Sequence, residues 1–212
     1  MLHITNGDCF NDCFLKAHAG VLAIPFREAM MDGEVPDAPV FSDAFVRLRA
    51  RHHGVTEERY RESIEGLLHL NGHAALLLFF GRDTFCQINL LTLLAYLEEI
   101  GYAGKVALTL IDDETFAVVE ENIPVTPGKY RAIYRTLLIE RKMPDALGVL
   151  DARAVALYFD YLSEDGLLAR TVKEHAEEDE TALIIRLLQI SADYGLSDTM
   201  AKKLIQKYKN KG

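Results

Sequence analysis

Over its first 125 residues the chain alternates short apolar runs with longer stretches of helical spacing. Residues 1–5 are β-prone, and Asn6-Gly7-Asp8 breaks the run. Residues 8–19 then set Phe10, Cys13, Phe14 and Ala17 on one helical face, and Gly20 stops that helix as a glycine just past its end. Residues 21–24 form a second apolar strand, halted by Pro25. Strand, helix and strand in that order make a βαβ unit and imply parallel pairing. Residues 26–40 carry Arg27, Glu28, Asp32, Gly33, Glu34, Pro36 and Pro39 with no sustained period, and read as a long loop. Such loops are uncommon in compact domains and often functional.

Residues 41–53 and 56–70 read as helices, the second with Thr56 at its N-cap. Residues 74–80 are continuously apolar, which fits a strand buried on both faces. Gly81-Arg82-Asp83-Thr84 ends it. A strong helix follows over 85–100, closed by Gly101, and another strand over 106–111 runs into Asp112-Asp113-Glu114. After Pro127-Gly128 only helical periods remain, over 130–141, 151–162, 167–175, 181–194 and 197–208. The expected fold is α/β: a short parallel sheet of about four strands flanked by helices over residues 1–125, with an all-helical C-terminal extension over 126–212.

Composition narrows the function classes. Half of the 212 residues are hydrophobic and 26% are charged, the make-up of a folded globular protein. The net charge of −9 disfavours nucleic acid and anionic membranes as partners, because phosphates would be repelled on average. The opening MLHITNGD lacks the basic and apolar regions of a signal peptide, and the run 74–80 is too short to span a bilayer. Cys9, Cys13 and Cys86 form neither a disulfide framework nor a C-x-x-C pair, which fits reduced thiols in a cytoplasmic setting. No His/Cys spacing supports zinc, and no cofactor is specified. Asp112, Asp113 and Glu114 could meet Asp8 or Asp83 around a divalent cation, but acidic turns after strands commonly hold none, so no metal is assigned.

The chemistry gathers at strand ends. In open α/β sheets, ligands bind outside the carboxyl ends of the strands. Asn6-Gly7-Asp8, Arg27-Glu28, Arg82-Asp83-Thr84 and Asp112-Asp113-Glu114 each follow a strand, so parallel pairing would put all four on one rim. Gly7 permits positive φ and close backbone approach, and the first-turn amides behind it could take an anion. Asp8 could serve the ligand or cap the helix. Arg27 could offer its fork to a carboxylate or phosphate, or pair locally with Glu28. Asp83, Cys86 and Gln87 share a helix face, where polar groups are costly to bury without partners. Cys86 near a helix N-terminus could be an activated thiol, although no histidine is spaced to pair with it. His3 points to the face opposite Leu2 and Ile4, where a satisfied core histidine and a general base are both open readings. His52-His53 reads as a solvated helix end.

His3 to Asp8, then Phe26-Arg27-Glu28 with Gly33, then Asp83 through Gln87 and Leu90 resemble the bacterial family called domain of unknown function 1835. The helical remainder resembles the C-terminal partner region often found behind it. The resemblance covers most of the chain and implies site roles for Asn6, Gly7, Asp8, Arg27, Glu28, Asp83 and Gln87. Phe26 stands where the family often has Trp, and Glu34 where Gly is often followed by Pro. It implies no established activity.

The expected function is binding, or binding and processing, of a small phosphorylated or nucleotide-like ligand at the carboxyl ends of the strands. Asn6, Gly7, Asp8, Arg27, Glu28 and Gln87 would hold it, and His3 or Asp83 would transfer any proton. The alternative is a regulator or adaptor acting through residues 183–208, whose spacing resembles a helix-turn-helix and whose last helix carries Lys202, Lys203, Lys207, Lys209 and Lys211. Lysines at a helix C-terminus also simply complement its dipole. Self-association through the helical extension is a third expectation.

Overall fold

The structure is a computed structural model that describes residues 1–209. Five strands form one sheet: β1 (Leu2–Asn6), β2 (Ala23–Phe26), β3 (Ala75–Phe80), β4 (Lys105–Ile111) and β5 (Val118–Pro124), in the order β2-β1-β3-β4-β5. The first four pair in parallel, as the βαβ reading requires. β5 runs antiparallel to β4 along the edge and was not expected. Its residues Val118 to Glu121 are exposed, so no apolar face marked it in the sequence.

The chain runs from β1 to β2 on one side and then crosses to β3 on the other. The gap beyond the carboxyl ends of β1 and β3 is therefore a topological switch point, where the two connections leave in opposite directions. The sheet's two faces differ. On one, α1 (Asp8–Ala17) packs Phe10 and Phe14 over Phe79 and Ile111, with Ala23 and Leu77 alongside. The other faces the main core, built on Leu2, Ile4, Leu76, Leu78, Phe80, Leu108 and Leu110. α4 (Thr84–Glu99) crosses that face, with a buried run from Thr84 through Leu97 broken only at Phe85. A helix apolar all round must be covered all round. α5 (Tyr130–Tyr134) and α6 (Ala152–Leu162) supply the outer cover. α7 (Leu167–Glu174), α8 (Glu180–Ile190) and α9 (Asp198–Tyr208) complete the helical part. α2 (Asp43–His53) and α3 (Glu57–Ile64), capped by Ser42 and Thr56, lie between β2 and β3 in the chain. No helix among the described residues is long and apolar enough to cross a membrane.

The lysines of α9 are largely engaged within the chain. Lys203 pairs with Asp32 at 2.7 Å, Lys209 donates to the Glu178 carbonyl, and Lys207 lies over the Tyr208 ring. Lys211 lies outside the described residues.

Candidate functional site

The β1–α1 junction begins the site. Asn6 ends β1 beside Phe26, and the Gly7 amide donates to the Phe26 carbonyl at 3.0 Å. Gly7 turns the chain with φ of 82°, a conformation costly for other residues. It stands at the N-cap of α1, where no side chain caps the helix. The amides of Asp8, Cys9 and Phe10 are thus the unpaired donors every helix leaves at its start. Asp8 does not cap α1; its Oδ1 accepts from Arg27 Nε at 2.8 Å. Both side chains are well exposed, so the pair adds little stability and keeps Arg27 loosely placed.

These groups border a cavity of about 550 Å³ whose walls include Asp8, Arg27, His53, Arg59, Tyr60 and Ser63. Arg59 comes from α3 and ion-pairs with Glu62 at 3.0 Å. The cavity therefore offers two guanidiniums, two carboxylates (Asp8 and Glu62), an imidazole and two hydroxyls, with the first residue of α1 in its wall.

Behind the cavity wall lies a buried ionic network. Glu28 and Arg49 have side chains 1% and 0% exposed, and Arg49 Nη2 donates to Glu28 Oε1 at 2.6 Å. Glu28 also receives His53 Nε2 at 2.7 Å and the Tyr60 hydroxyl. Burial alone would push the Glu28 carboxyl up. The His53 hydrogen bond and the charge and hydrogen bonds of Arg49 outweigh it and hold the group at about 2. The remaining Arg49 donors reach the carbonyls of Ala29, Asp32 and Glu34. Asp32 in turn takes His52, Lys203 and Tyr161.

A second cluster sits at the switch point itself. Asp83 caps α4 by accepting from the Cys86 amide at 2.8 Å. Asn6 Nδ2 donates to Cys86 Sγ at 2.8 Å, and Sγ donates to Asp113 Oδ1 at 3.3 Å. Asn89 links Asn6 Oδ1, the Glu28 carbonyl and the Met30 amide. Asp113 is pushed up to about 7 by burial and then by the Asp83 carboxylate beside it. Burial, Asp83 and Asp113 also push the Cys86 thiol well up, so it is a proton donor here and not a thiolate nucleophile. One oxygen from each aspartate and the sulfur of Cys86 lie within 4.8 Å of one another, the one such group among the described residues that could meet on a cation. Asp83 and Asp113 face a cavity of about 390 Å³ shared with Asp151 and Arg153 of the helical part.

The sequence-selected residues fall into three sets. Asp8 and Arg27 meet at the larger cavity, with Gly7 next to Asp8 in the chain, while Asn6 and Asp83 join Cys86 and Asp113 at the switch point. Glu28 and Gln87 are buried and engaged: Glu28 in its network, Gln87 between the Gly81 carbonyl and the Asp151 amide. His3 is brought to neither cluster. It lies under α1 against Phe14 and Phe79, with Nδ1 at 3.0 Å from the Leu22 carbonyl.

His52 and His53, which the sequence reads as a solvated helix end, are instead held by the carboxylates of Asp32 and Glu28. The signal lay in α2 itself. Phe45, Val46, Arg49 and Ala50 form its buried stripe, so an arginine sits on the apolar face with His53 one turn further on. A buried guanidinium demands a buried anion. No protein-family model, curated protein or solved structure matches this chain.

Proposed function

We propose that the chain binds a small phosphorylated or nucleotide-like ligand in the cavity beside Gly7, Asp8 and Arg27. The carrying observation is that the uncapped start of α1 and two guanidiniums, Arg27 and Arg59, border one cavity at the carboxyl ends of the strands. A helix N-terminus favours an anion through its free amides and its dipole, and arginine forks match phosphate oxygens. Asp8 is an acceptor for ligand hydroxyls such as those of a sugar, which phosphate alone would not use. The mixed signs of charge thus fit a ligand with one anionic and one hydroxylated part. The regulatory alternative rests on helix-turn-helix spacing over residues 183–208 and on a basic last helix, of which Lys203, Lys207 and Lys209 are engaged within the chain.

A thermal-shift series with inorganic phosphate, sugar phosphates and nucleoside phosphates tests this. A ligand at a hundredfold its Kd contributes about 2.7 kcal/mol. For a chain of this size that raises Tm by roughly 5–10 °C. Arg27→Ala should remove most of the rise. No rise with any member of the series refutes the reading.

A further inference from the structure

We propose that His53 is the proton-transfer residue of this cavity, held in place by Glu28, and that its substrate class is a phosphate ester. The inference rests on the ligand-binding reading above. His53 ends α2 at the cavity wall, with its side chain 27% exposed. Nε2 is 2.7 Å from Glu28 Oε1, and Glu28 is buried, charged and anchored by Arg49, Tyr60 and the Ala29 amide. An ionised carboxylate only accepts, so Nε2 carries the proton of the neutral ring and Nδ1 carries the lone pair. The ring is fixed further by stacking on Tyr60, with interplanar angle 16°. No hydrogen bond to Nδ1 is seen among the described residues. A histidine with one nitrogen fastened to a buried carboxylate and its ring in a cavity wall is the arrangement a general base needs.

The rest of the cavity fits the same step. A water or ligand hydroxyl oxygen attacks phosphorus while Nδ1 takes its proton. The imidazolium that forms is paired with Glu28. As the old P–O bond breaks, the leaving oxygen takes that proton back, so His53 ends neutral and only the phosphoryl group has moved. Arg27 and Arg59 line the cavity and would stabilise charge on the phosphoryl oxygens, and α1 begins at the lining residue Asp8. Glu28 touches no ligand and is a positioning residue.

The test combines nitrogen NMR with kinetics on the full chain. Long-range proton–nitrogen spectra should show His53 as the Nε2–H tautomer, and Glu28→Gln should weaken that preference. Inorganic phosphate should move both the Asp8 to Phe10 amides and the His53 ring signals. With p-nitrophenyl phosphate and a panel of sugar and nucleoside phosphates, His53→Gln should lower kcat about a hundredfold or more with a smaller change in KM. Arg27→Ala should act mainly on KM. Phosphate that moves the α1 amides and leaves His53 unmoved overturns the inference and spares the binding reading. Phosphate and esters that move neither overturn both. Turnover of no ester by the wild type, or equal turnover by His53→Gln, overturns the proton-transfer role alone.

Discussion

Replacing Arg49 by Met would remove the one full positive charge hydrogen-bonded to Glu28 within the core while keeping most of the side chain's volume. The size of the effect follows from Glu28. Its carboxyl lies at about 2 instead of the ordinary 4.5 even though burial opposes ionisation. At about 1.4 kcal/mol for each tenfold change in proton affinity, its partners favour the charged form by about 3 kcal/mol net of that burial. Neither side chain is screened by water. Arg49→Met also strips the donor from the carbonyls of Ala29, Asp32 and Glu34. Breaking one partner of a buried pair typically costs about 3–5 kcal/mol, and that is the expected loss in urea denaturation at neutral pH. The sign with pH is also fixed. In the wild type the Glu28 contribution is present above 4.5 and is lost as pH falls toward 2. In Arg49→Met burial is opposed by His53 without the Arg49 charge, so Glu28 rises and the variant's deficit should shrink on acidification. Glu28→Gln combined with Arg49→Met should cost less than the two single losses added, because the stranded charge is gone. A single-variant loss below about 1 kcal/mol, or simple additivity, would refute the account of this network.

Two further expectations concern the switch point. Asp113 binds its proton more tightly in the folded chain than its ordinary 3.8, so folding stability should decline as pH rises from 3.8 through about 7; Asp113→Asn should flatten that decline in denaturation curves taken across the interval, and an unchanged slope would remove Asp113 as its cause. A Cβ on Gly195, which has φ of +65°, would lie 2.2 Å from Asp83 Oδ1 and 2.8 Å from Phe85 Cβ. Gly195→Ala should therefore cost about 2 kcal/mol or more, read as a fall in Tm of roughly 4–8 °C, whereas Gly72→Ala, with nothing near its Cβ, should change Tm far less.

Much of the frame was legible because periodicity reports burial. The apolar run at 74–80 marked β3, and the unbroken apolar helix behind Asp83 marked α4. β5 escaped because an edge strand exposed on both faces has no period to read. The candidate site was legible at Asp8 and Arg27, which strand-end chemistry points to one rim and which line one cavity. It was not legible at His53. The role proposed for that histidine rests on a contact with Glu28 across 25 positions of chain, which local pattern does not encode. Glu28 misled for the same reason: beside Arg27 it looks like a surface ion pair, but alternation along the chain sends the two side chains opposite ways, one to the cavity and one to Arg49.

Arg49 also explains how the segment after β2 keeps a defined course without belonging to a helix or a strand. Its carbonyls at Ala29, Asp32 and Glu34 converge on a single planar cation, which stands in for the missing ladder as a spoke hub stands in for a rim. Residues between those three points are thereby held facing inward: Met30 and Met31 are buried in the core, and a Cβ on Gly33 would run into the His52 ring. The hub itself cannot drift even to lysine, whose single nitrogen could not span three carbonyls and a carboxylate at once.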